Sequence, residues 1–344
     1  MTSGYNIAII GATGIVGSTL LSILEERKFP VGKLYLVASH RSAGEICDFA
    51  GKPIMVQDLE HFDFSKTQLS FFCAGNAVSA EYAPKAAALG NIVIDKSSCF
   101  RYDADVPLIV PEVNPDHLVA YKKKNIIASP NCSTTPVAVA LKPIHDAVGI
   151  ARISVATYQS VSGSGKKGVS ELAEQTSHLL NGKSVKPTLY SRQIAFNIIP
   201  VCDELQENGY TKEEMKIVWE IHKMFNDDSI AITPTAVRVP VFYGHSAAVH
   251  VETKEKIQLN KVIALLSKSP GIKLMSGTGK HPYPTPVNEA TGHDDVYVGR
   301  LREDLFIPNG INLWVVTDNL RKGAALNAVQ IAESLIEKHF LVHD

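Results

Sequence analysis

Tyr5-Asn6-Ile7-Ala8-Ile9-Ile10-Gly11-Ala12-Thr13-Gly14-Ile15-Val16-Gly17 is the stretch that decides the fold. Its first six residues form a short apolar strand, and the glycines that follow are spaced Gly-x-x-Gly-x-x-Gly. An amphipathic helix is expected over residues 14–27. Glycines in such a turn let it be tight, let backbone approach a pyrophosphate and let helix pack on strand, with the phosphates at the helix N-terminus. Turns collect glycine for many reasons, so the flanking strand and helix give the motif its weight. The spacing differs from the commoner Gly-x-Gly-x-x-Gly but still suits a dinucleotide. Gly11, Thr13, Gly14, Ile15, Val16 and Gly17 are the candidate cradle.

The pattern outward from this motif alternates. Strands expected near 5–10, 33–38, 69–73, 92–95 and 125–128, interleaved with helices near 14–27 and 78–89, describe a doubly wound sheet. Ala74-Gly75 closes one strand at the edge where ligands lie in open α/β sheets. After the strand ending at Ala38, an acid that would meet a free ribose 2′-hydroxyl is missing, and Ser39-His40-Arg41-Ser42 stands there. Hydroxyls and a cation at Ser39, Arg41 and Ser42 suit a 2′-phosphate, so NADP is expected over NAD. From about residue 130 the pattern changes to strands at 150–158, 232–239, 246–252 and 312–318 separated by longer helices and loops. That reads as a mixed sheet with helices on one face and a second subunit as the natural cover of the other. The expected architecture is thus α/β: a Rossmann-type dinucleotide-binding domain over 1–130 and an α+β catalytic and dimerisation domain over 131–323.

The chemistry centres on Cys132, in Ser129-Pro130-Asn131-Cys132-Ser133-Thr134-Thr135-Pro136. The run reads as a loop turning into a helix over Val137–Ala147, with Pro136 suited to its first turn and Ser133, Thr134 and Thr135 able to cap it. A thiol at that end feels the positive pole of the helix dipole, which favours thiolate. The same N–H groups suit an oxyanion. An isolated cysteine is more often a buried, inert side chain, so further features are needed. Arg238 lies in a strand-like stretch followed by Phe242-Tyr243-Gly244-His245-Ser246. A histidine beside a glycine turn suits acid/base service to a thiol. His245 and His250 are five apart on an expected strand and so point to opposite faces, which argues against a metal pair. His339 and His343 share helical spacing, but at a chain end expected to fray.

Taken together, the motifs resemble those of the aspartate-semialdehyde dehydrogenase family, nearly end to end. The resemblance rests on the Gly11–Gly17 loop, Ser98-Cys99-Phe100-Arg101, Val110-Pro111-Glu112-Val113-Asn114, Pro130-Asn131-Cys132-Ser133-Thr134 and Tyr158-Gln159-Ser160-Val161-Ser162-Gly163. Glu213-Glu214-Met215-Lys216, Arg238-Val239-Pro240, Gly244-His245-Ser246 and Asn319-Leu320-Arg321-Lys322-Gly323 continue it. It implies Cys132 as nucleophile, His245 as general acid/base and Gln159 as a residue that orients the substrate. It further implies Arg238 on the substrate carboxylate, Glu213 on its ammonium, and Arg101, Lys216 and Asn131 on phosphate. Ser162, Gly163 and Asn319 would join the cofactor site with Ala74 and Gly75, and a C-terminal helix within 324–344 would complete the first domain. The implied reaction is reversible, NADP-dependent reduction of L-aspartyl 4-phosphate to L-aspartate 4-semialdehyde, at the branch to lysine, threonine and methionine. An arginine fork suits a carboxylate independently of family, and Glu213 and Lys216 share one face of a helix expected over 212–225.

Two departures stand out. Family members usually carry an amide where Lys96 follows Asp95, and Gly163-Ser164-Gly165-Lys166-Lys167-Gly168 holds two lysines where they tend to have lysine then glycine. An N-acetylglutamyl-phosphate reductase shares the chemistry but would place Gly at Asn131. A non-catalytic relative would have no need of Cys132, Gln159, Arg238 and His245 together.

Bulk properties narrow the classes. At 344 residues with 45% hydrophobic content the chain can bury large cores. A net charge of −1 gives no electrostatic reason for nucleic acid or a membrane surface as partner. No apolar run reaches the roughly 18 residues of a membrane span, and the start of the sequence lacks a signal-peptide pattern. Five cysteines without Cys-x-x-Cys spacing read as free thiols in a reducing cytoplasm. No P-loop is present, since position 160 is Ser and Lys166 is followed by Lys167. The expected partners are small-molecule substrates (aspartate semialdehyde, aspartyl phosphate and phosphate) and a second copy of the chain, with no metal.

Overall fold

A computed structural model describes residues 4–275 and 282–341. His343 and the rest of 342–344 lie outside the described residues. The chain divides into two compact units, Met1–Asn131 with Ala324–Asp344, and Cys132–Gly323.

The first unit is built on β1 (Tyr5–Ile10), α1 (Ile15–Glu26) and β2 (Val31–Ala38), followed by a hairpin of β3 (Ile46–Phe49) and β4 (Lys52–Met55). β5 (Gln57–Asp58), β6 (Leu69–Phe72), α2 (Asn76–Ala88), β7 (Ile92–Asp95) and β8 (Ile126–Ala128) complete its sheet region. The sheet order is β5-β2-β1-β6-β7-β8, and every pairing in it is parallel. Parallel strands covered on both faces must be apolar throughout, and β6, β7 and β8 are buried at every position. The chain runs outward from β1 through β2 to β5 and then returns to β6 on the other side of β1, so the order reverses between β1 and β6. Open α/β sheets bind ligands beyond the strand C-termini at such a point. Gly11 sits there at φ +82°, and a Cβ on it would come within 3.0 Å of the Cys73 main chain. A Cβ on Gly17 would lie 2.3 Å from the Gly11 carbonyl oxygen, so α1 packs on the loop only through glycine.

The second unit opens with α3 (Thr134–Val148), β9 (Ile150–Gln159), α4 (Gly165–Leu180) and α5 (Lys212–Phe225). It continues through β10 (Ala231–Arg238), β11 (His245–Thr253), α6 (Leu259–Lys268), β12 (Ile272–Met275), β13 (Val296–Glu303) and β14 (Gly310–Thr317). Its sheet is mixed, in the order β10-β9-β11-β14-β13-β12, with β10/β9 and β12/β13 parallel and the other pairs antiparallel. α3 and α6 pack on this sheet, as does α5 on β10. One face is buried, with Ile153, Val155, Thr157 and Gln159 of β9 and Ala247, Val249 and Val251 of β11. The alternate residues, among them Arg152, Tyr158, Ala248 and His250, are exposed or half-buried. β12 and β13 were not among the strands expected from sequence, and α3 begins at Thr134 rather than Val137.

The chain then leaves through a π-helical turn, Arg321–Ala325, into α7 (Leu326–Glu337). Leu326, Val329, Ala332 and Leu335 join the core of the first unit with Ile7, Ile9, Leu20 and Phe71. Burying a leucine, isoleucine, valine or phenylalanine side chain contributes about 1.5–3 kcal/mol each. Asn327 Nδ2 ties α7 to the Ile109 carbonyl at 3.0 Å and to Ser129 Oγ at 2.8 Å, and Arg27 makes a two-point contact with Glu333.

Candidate active site

Cys132 lies in the turn just before α3, and its Sγ is 3.4 Å from His245 Nε2. The capping expected there does not form as anticipated. Ser133 has helical φ and ψ and makes no side-chain cap bond, while Thr134 and Thr135 are already inside the helix. Pro136 is tolerated as the third helical residue because the first-turn N–H groups have no intrahelical partner. The sulfur therefore faces a helix start without a side-chain cap. Gly323 allows this position: a Cβ on it would sit 2.9 Å from Cys132 Cβ. Three of the other thiols are held in the protonated form, since burial pushes Cys73 up to about 12 and Cys202 up to about 11, and raises Cys99 as well.

His245 starts β11 and is 3% exposed. Burial first, and the Arg238 cation second, push its pKa down to about 3, against smaller upward pulls from Glu213 and the Gly244 backbone. The ring is neutral at ordinary pH. Its Nδ1 receives the Ser160 backbone N–H at 3.1 Å and lies 3.0 Å from Ser160 Oγ.

Arg238 and Gln159 end adjacent parallel strands and are register partners. That pairing puts a fork and an amide side by side at one sheet edge. Arg238 Nη1 donates to the Ser160 carbonyl at 2.7 Å, but its Nε is buried with no hydrogen-bond partner. Gln159 Nε2 donates to Glu213 Oε1 at 3.1 Å, and its Oε1 is likewise buried and unpartnered. Buried polar atoms left unsatisfied call for an explanation, and a polar ligand supplies one. Glu213 and Lys216 occupy one face of α5, held by a capping box in which Thr211 and Glu214 bond reciprocally. Lys216 Nζ donates to Glu213 Oε2 at 2.8 Å and to Asp203 Oδ2 at 2.7 Å. Burial opposes both charges, yet Lys216 holds Glu213 below the ordinary glutamate range, and Glu213 with Asp203 holds Lys216 above its own. Asn319 Oδ1 accepts from Ser160 Oγ, Ser162 Oγ and the Gly244 N–H, and its Nδ2 is buried without a partner. Gly163 lies against this group, where a Cβ would come to 3.0 Å of Arg238 Nη1.

The second unit thus brings together Cys132, His245, Gln159, Glu213, Lys216, Arg238, Ser162, Gly163 and Asn319. The remaining candidates belong to the first unit. The Gly11–Gly17 loop opens α1, whose N-cap Gly14 makes no side-chain cap bond, so main-chain N–H groups there suit a pyrophosphate. Ser39 precedes a 3₁₀ turn over His40–Ser42, and Thr13 Oγ1 donates to Ser42 Oγ at 3.3 Å, joining that turn to the loop. Ala74 and Gly75 follow β6, and Gly75 caps α2. Arg101 is buried and donates from Nη2 to the Lys96 carbonyl, while Lys96 Nζ donates to Ser129 Oγ and the Pro130 carbonyl just before buried Asn131. Lys96 therefore braces the segment leading to Cys132. Ser160, Asp203 and Gly323 were not singled out from sequence. Ser160 and Gly323 lie within quoted motifs, but only a backbone direction and a close approach give them weight. Asp203 lies 13 residues before Lys216 on a loop, at φ +68°, with no sequence signal.

Comparison with known proteins follows the same division. A family model described as semialdehyde dehydrogenase, NAD binding domain, matches residues 6–121, and one described as semialdehyde dehydrogenase, dimerisation domain, matches residues 141–322. The chain is 55% identical to an aspartate-semialdehyde dehydrogenase of Legionella pneumophila, over 99% of this chain and 98% of that one. It is 48% identical to that of Aquifex aeolicus, over 97% and 99%. The crystal structure of Vibrio cholerae aspartate semialdehyde dehydrogenase II complexed with ASA superimposes with a TM-score of 0.96 at 55% identity, covering 98% of this chain and 100% of that one. With both family models matched in order and the relatives aligned almost end to end, the chain belongs to the aspartate-semialdehyde dehydrogenase family.

Proposed function

We propose that the second-unit cluster is the catalytic centre of an NADP-dependent, phosphorylating aspartate-semialdehyde dehydrogenase, with Cys132 as its nucleophile. The observation that carries this assignment is the Cys132 Sγ to His245 Nε2 approach of 3.4 Å, beside an arginine and a glutamine with unsatisfied buried polar atoms. In the reductive direction the Cys132 thiolate attacks the acyl carbon of L-aspartyl 4-phosphate, the acyl–oxygen bond breaks, and phosphate leaves from a thioester. When bound, the nicotinamide supplies the hydride for that thioester and takes it up in the reverse direction. Arg238 holds the substrate α-carboxylate through its fork, and Glu213 holds the ammonium. Gln159 Oε1 and Nε2 fix the substrate between them. Lys216, Arg101 and Asn131 take the phosphate. In the reductive direction His245 gives a proton to the oxygen of the reduced adduct and takes it back as the hemithioacetal C–S bond breaks, which releases the aldehyde and the Cys132 thiolate; the reverse direction runs the same proton the other way. Splitting one displacement into two covalent steps lowers each barrier.

The loop residues fit NADP: a glycine turn for the pyrophosphate, and Ser39, Arg41 and Ser42 for a 2′-phosphate. We assign the open face of the second sheet, with Tyr158, Ala248 and Trp314, to contact with a second copy, making a homodimer. A biosynthetic role in the cytoplasm completes the reading. Phosphate-dependent reduction of NADP with aspartate semialdehyde tests it: turnover by the native chain and none by Cys132→Ala is the expected result, and an active Cys132→Ala enzyme contradicts it.

A further inference from the structure

Two atoms of Ser160, a fully buried residue, meet one nitrogen of His245. Its backbone N–H donates to Nδ1 at 3.1 Å, and its Oγ lies 3.0 Å from the same atom. These groups ask for opposite states of the ring. An N–H donor bonds a bare Nδ1, whereas a hydroxyl lone pair bonds Nδ1–H. The hydroxyl proton of Ser160 has acceptors away from the ring, Asn319 Oδ1 at 3.1 Å and Ser162 Oγ at 3.0 Å. Asn319 Oδ1 is fixed in turn by Ser162 Oγ–H at 3.1 Å and the Gly244 N–H at 2.9 Å. Ser160 Oγ is left to face Nδ1 as an acceptor.

The choice at Nδ1 decides what Nε2 does 3.4 Å from the sulfur. A neutral ring with bare Nδ1 carries its proton on Nε2, so it can only donate toward Cys132. To take the proton of the Cys132 thiol or of a hemithioacetal hydroxyl, Nε2 must be bare and Nδ1 protonated. The ring then cycles between Nδ1–H and imidazolium, with Nδ1 protonated throughout and one proton moving on and off Nε2. The Ser160 N–H opposes both of those states. We propose that Ser160 is a positioning residue for the acid/base step, its hydroxyl sustaining the Nδ1-protonated ring against its backbone N–H, which favours the Nε2-protonated one, so that the resting ring populates both tautomers. This rests on His245 being the acid/base. The Gly244 backbone also favours a protonated ring, so loss of the hydroxyl weakens the step without abolishing it.

The test uses Ser160→Ala, which keeps the N–H and removes the hydroxyl, and Ser160→Thr, which keeps both. Ser160→Ala should lower kcat about tenfold, a part of the roughly 10²–10⁴-fold worth of acid/base assistance, and leave the aldehyde KM and the NADP Kd within about twofold. Nitrogen-15 NMR of imidazole-labelled enzyme, with His245 assigned by its loss in His245→Gln, should show a shift toward the Nε2–H tautomer in Ser160→Ala. Ser160→Thr should restore most of kcat and the native spectrum. A Ser160→Ala enzyme with native kcat, with an unchanged His245 tautomer, or with its loss carried by KM or NADP affinity, overturns the proposal. Retention of kcat by His245→Gln would instead overturn the acid/base reading beneath it.

Discussion

Burial and the Arg238 cation keep His245 neutral down to about 3, while in the unfolded chain it titrates near 6.5. Between those values the unfolded state binds more protons than the native one, so stability rises with pH across that window. The contribution of neutral His245 is full above pH 6.5 and is lost as pH falls toward 3. His245→Gln should therefore flatten the dependence of the urea midpoint on pH in that range, and an unchanged slope would count against a buried neutral ring. Gly323 makes a steric prediction, since a Cβ there would sit 2.9 Å from Cys132 Cβ. Gly323→Ala should lower kcat by about tenfold or more while far-UV circular dichroism stays native, because small displacements of a reacting atom are costly. Arg41→Ala should shrink the preference for NADP over NAD by about tenfold, the worth of one charge-assisted contact, as read from kcat/KM with each cofactor. Cys132 and His245 stood out in the sequence because thiol before helix and histidine after glycine turn are local patterns. Ser160 did not, because its weight lies in a backbone N–H and a rotamer that only tertiary structure aims.

At the scale of elements, α5 shows how a helix end positions a site. Thr211 Oγ1 accepts the Glu214 N–H at 3.2 Å and Glu214 Oε2 accepts the Thr211 N–H at 2.7 Å, so the first turn carrying Glu213 is fixed. Thr211→Ala should lower the unfolding free energy by about 1 kcal/mol and raise the KM for phosphate, measured by denaturant melts and initial rates. The helix over Lys212–Phe225 was legible with the same ends because its apolar spacing and charged first turn agree. The alternation of strands and helices likewise announced the parallel sheet. β13 escaped because its pairing slips between Gly299 and Arg302, with Arg300 at φ +54°, which breaks the period-two pattern. β12 escaped because it is only four residues long, at a sheet edge. α3 began earlier than expected because a proline within the first helical turn loses no hydrogen bond.

For the molecule as a whole, the second sheet leaves much of one face exposed or half-buried among the described residues, and Tyr158 of β9 and Trp314 of β14 meet there across β11 with ring centroids 5.4 Å apart. Two-layer packing needs such a face covered, and a second copy covers it in our reading. Ala248→Arg, placed at its centre, should convert a dimer to a monomer in sedimentation velocity, whereas an unchanged dimer would move the interface elsewhere. Among the described residues no helix is long and apolar enough to cross a membrane. The central claim, that Cys132 carries the acyl group, is the most directly accessible of all. Enzyme mixed with aspartyl phosphate or with aspartate semialdehyde and NADP, quenched in acid and digested, should yield an aspartyl adduct by mass spectrometry on the peptide holding Cys132. An adduct on Cys47, Cys73, Cys99 or Cys202 instead, or turnover with no adduct in the Cys132→Ala enzyme, would contradict the account.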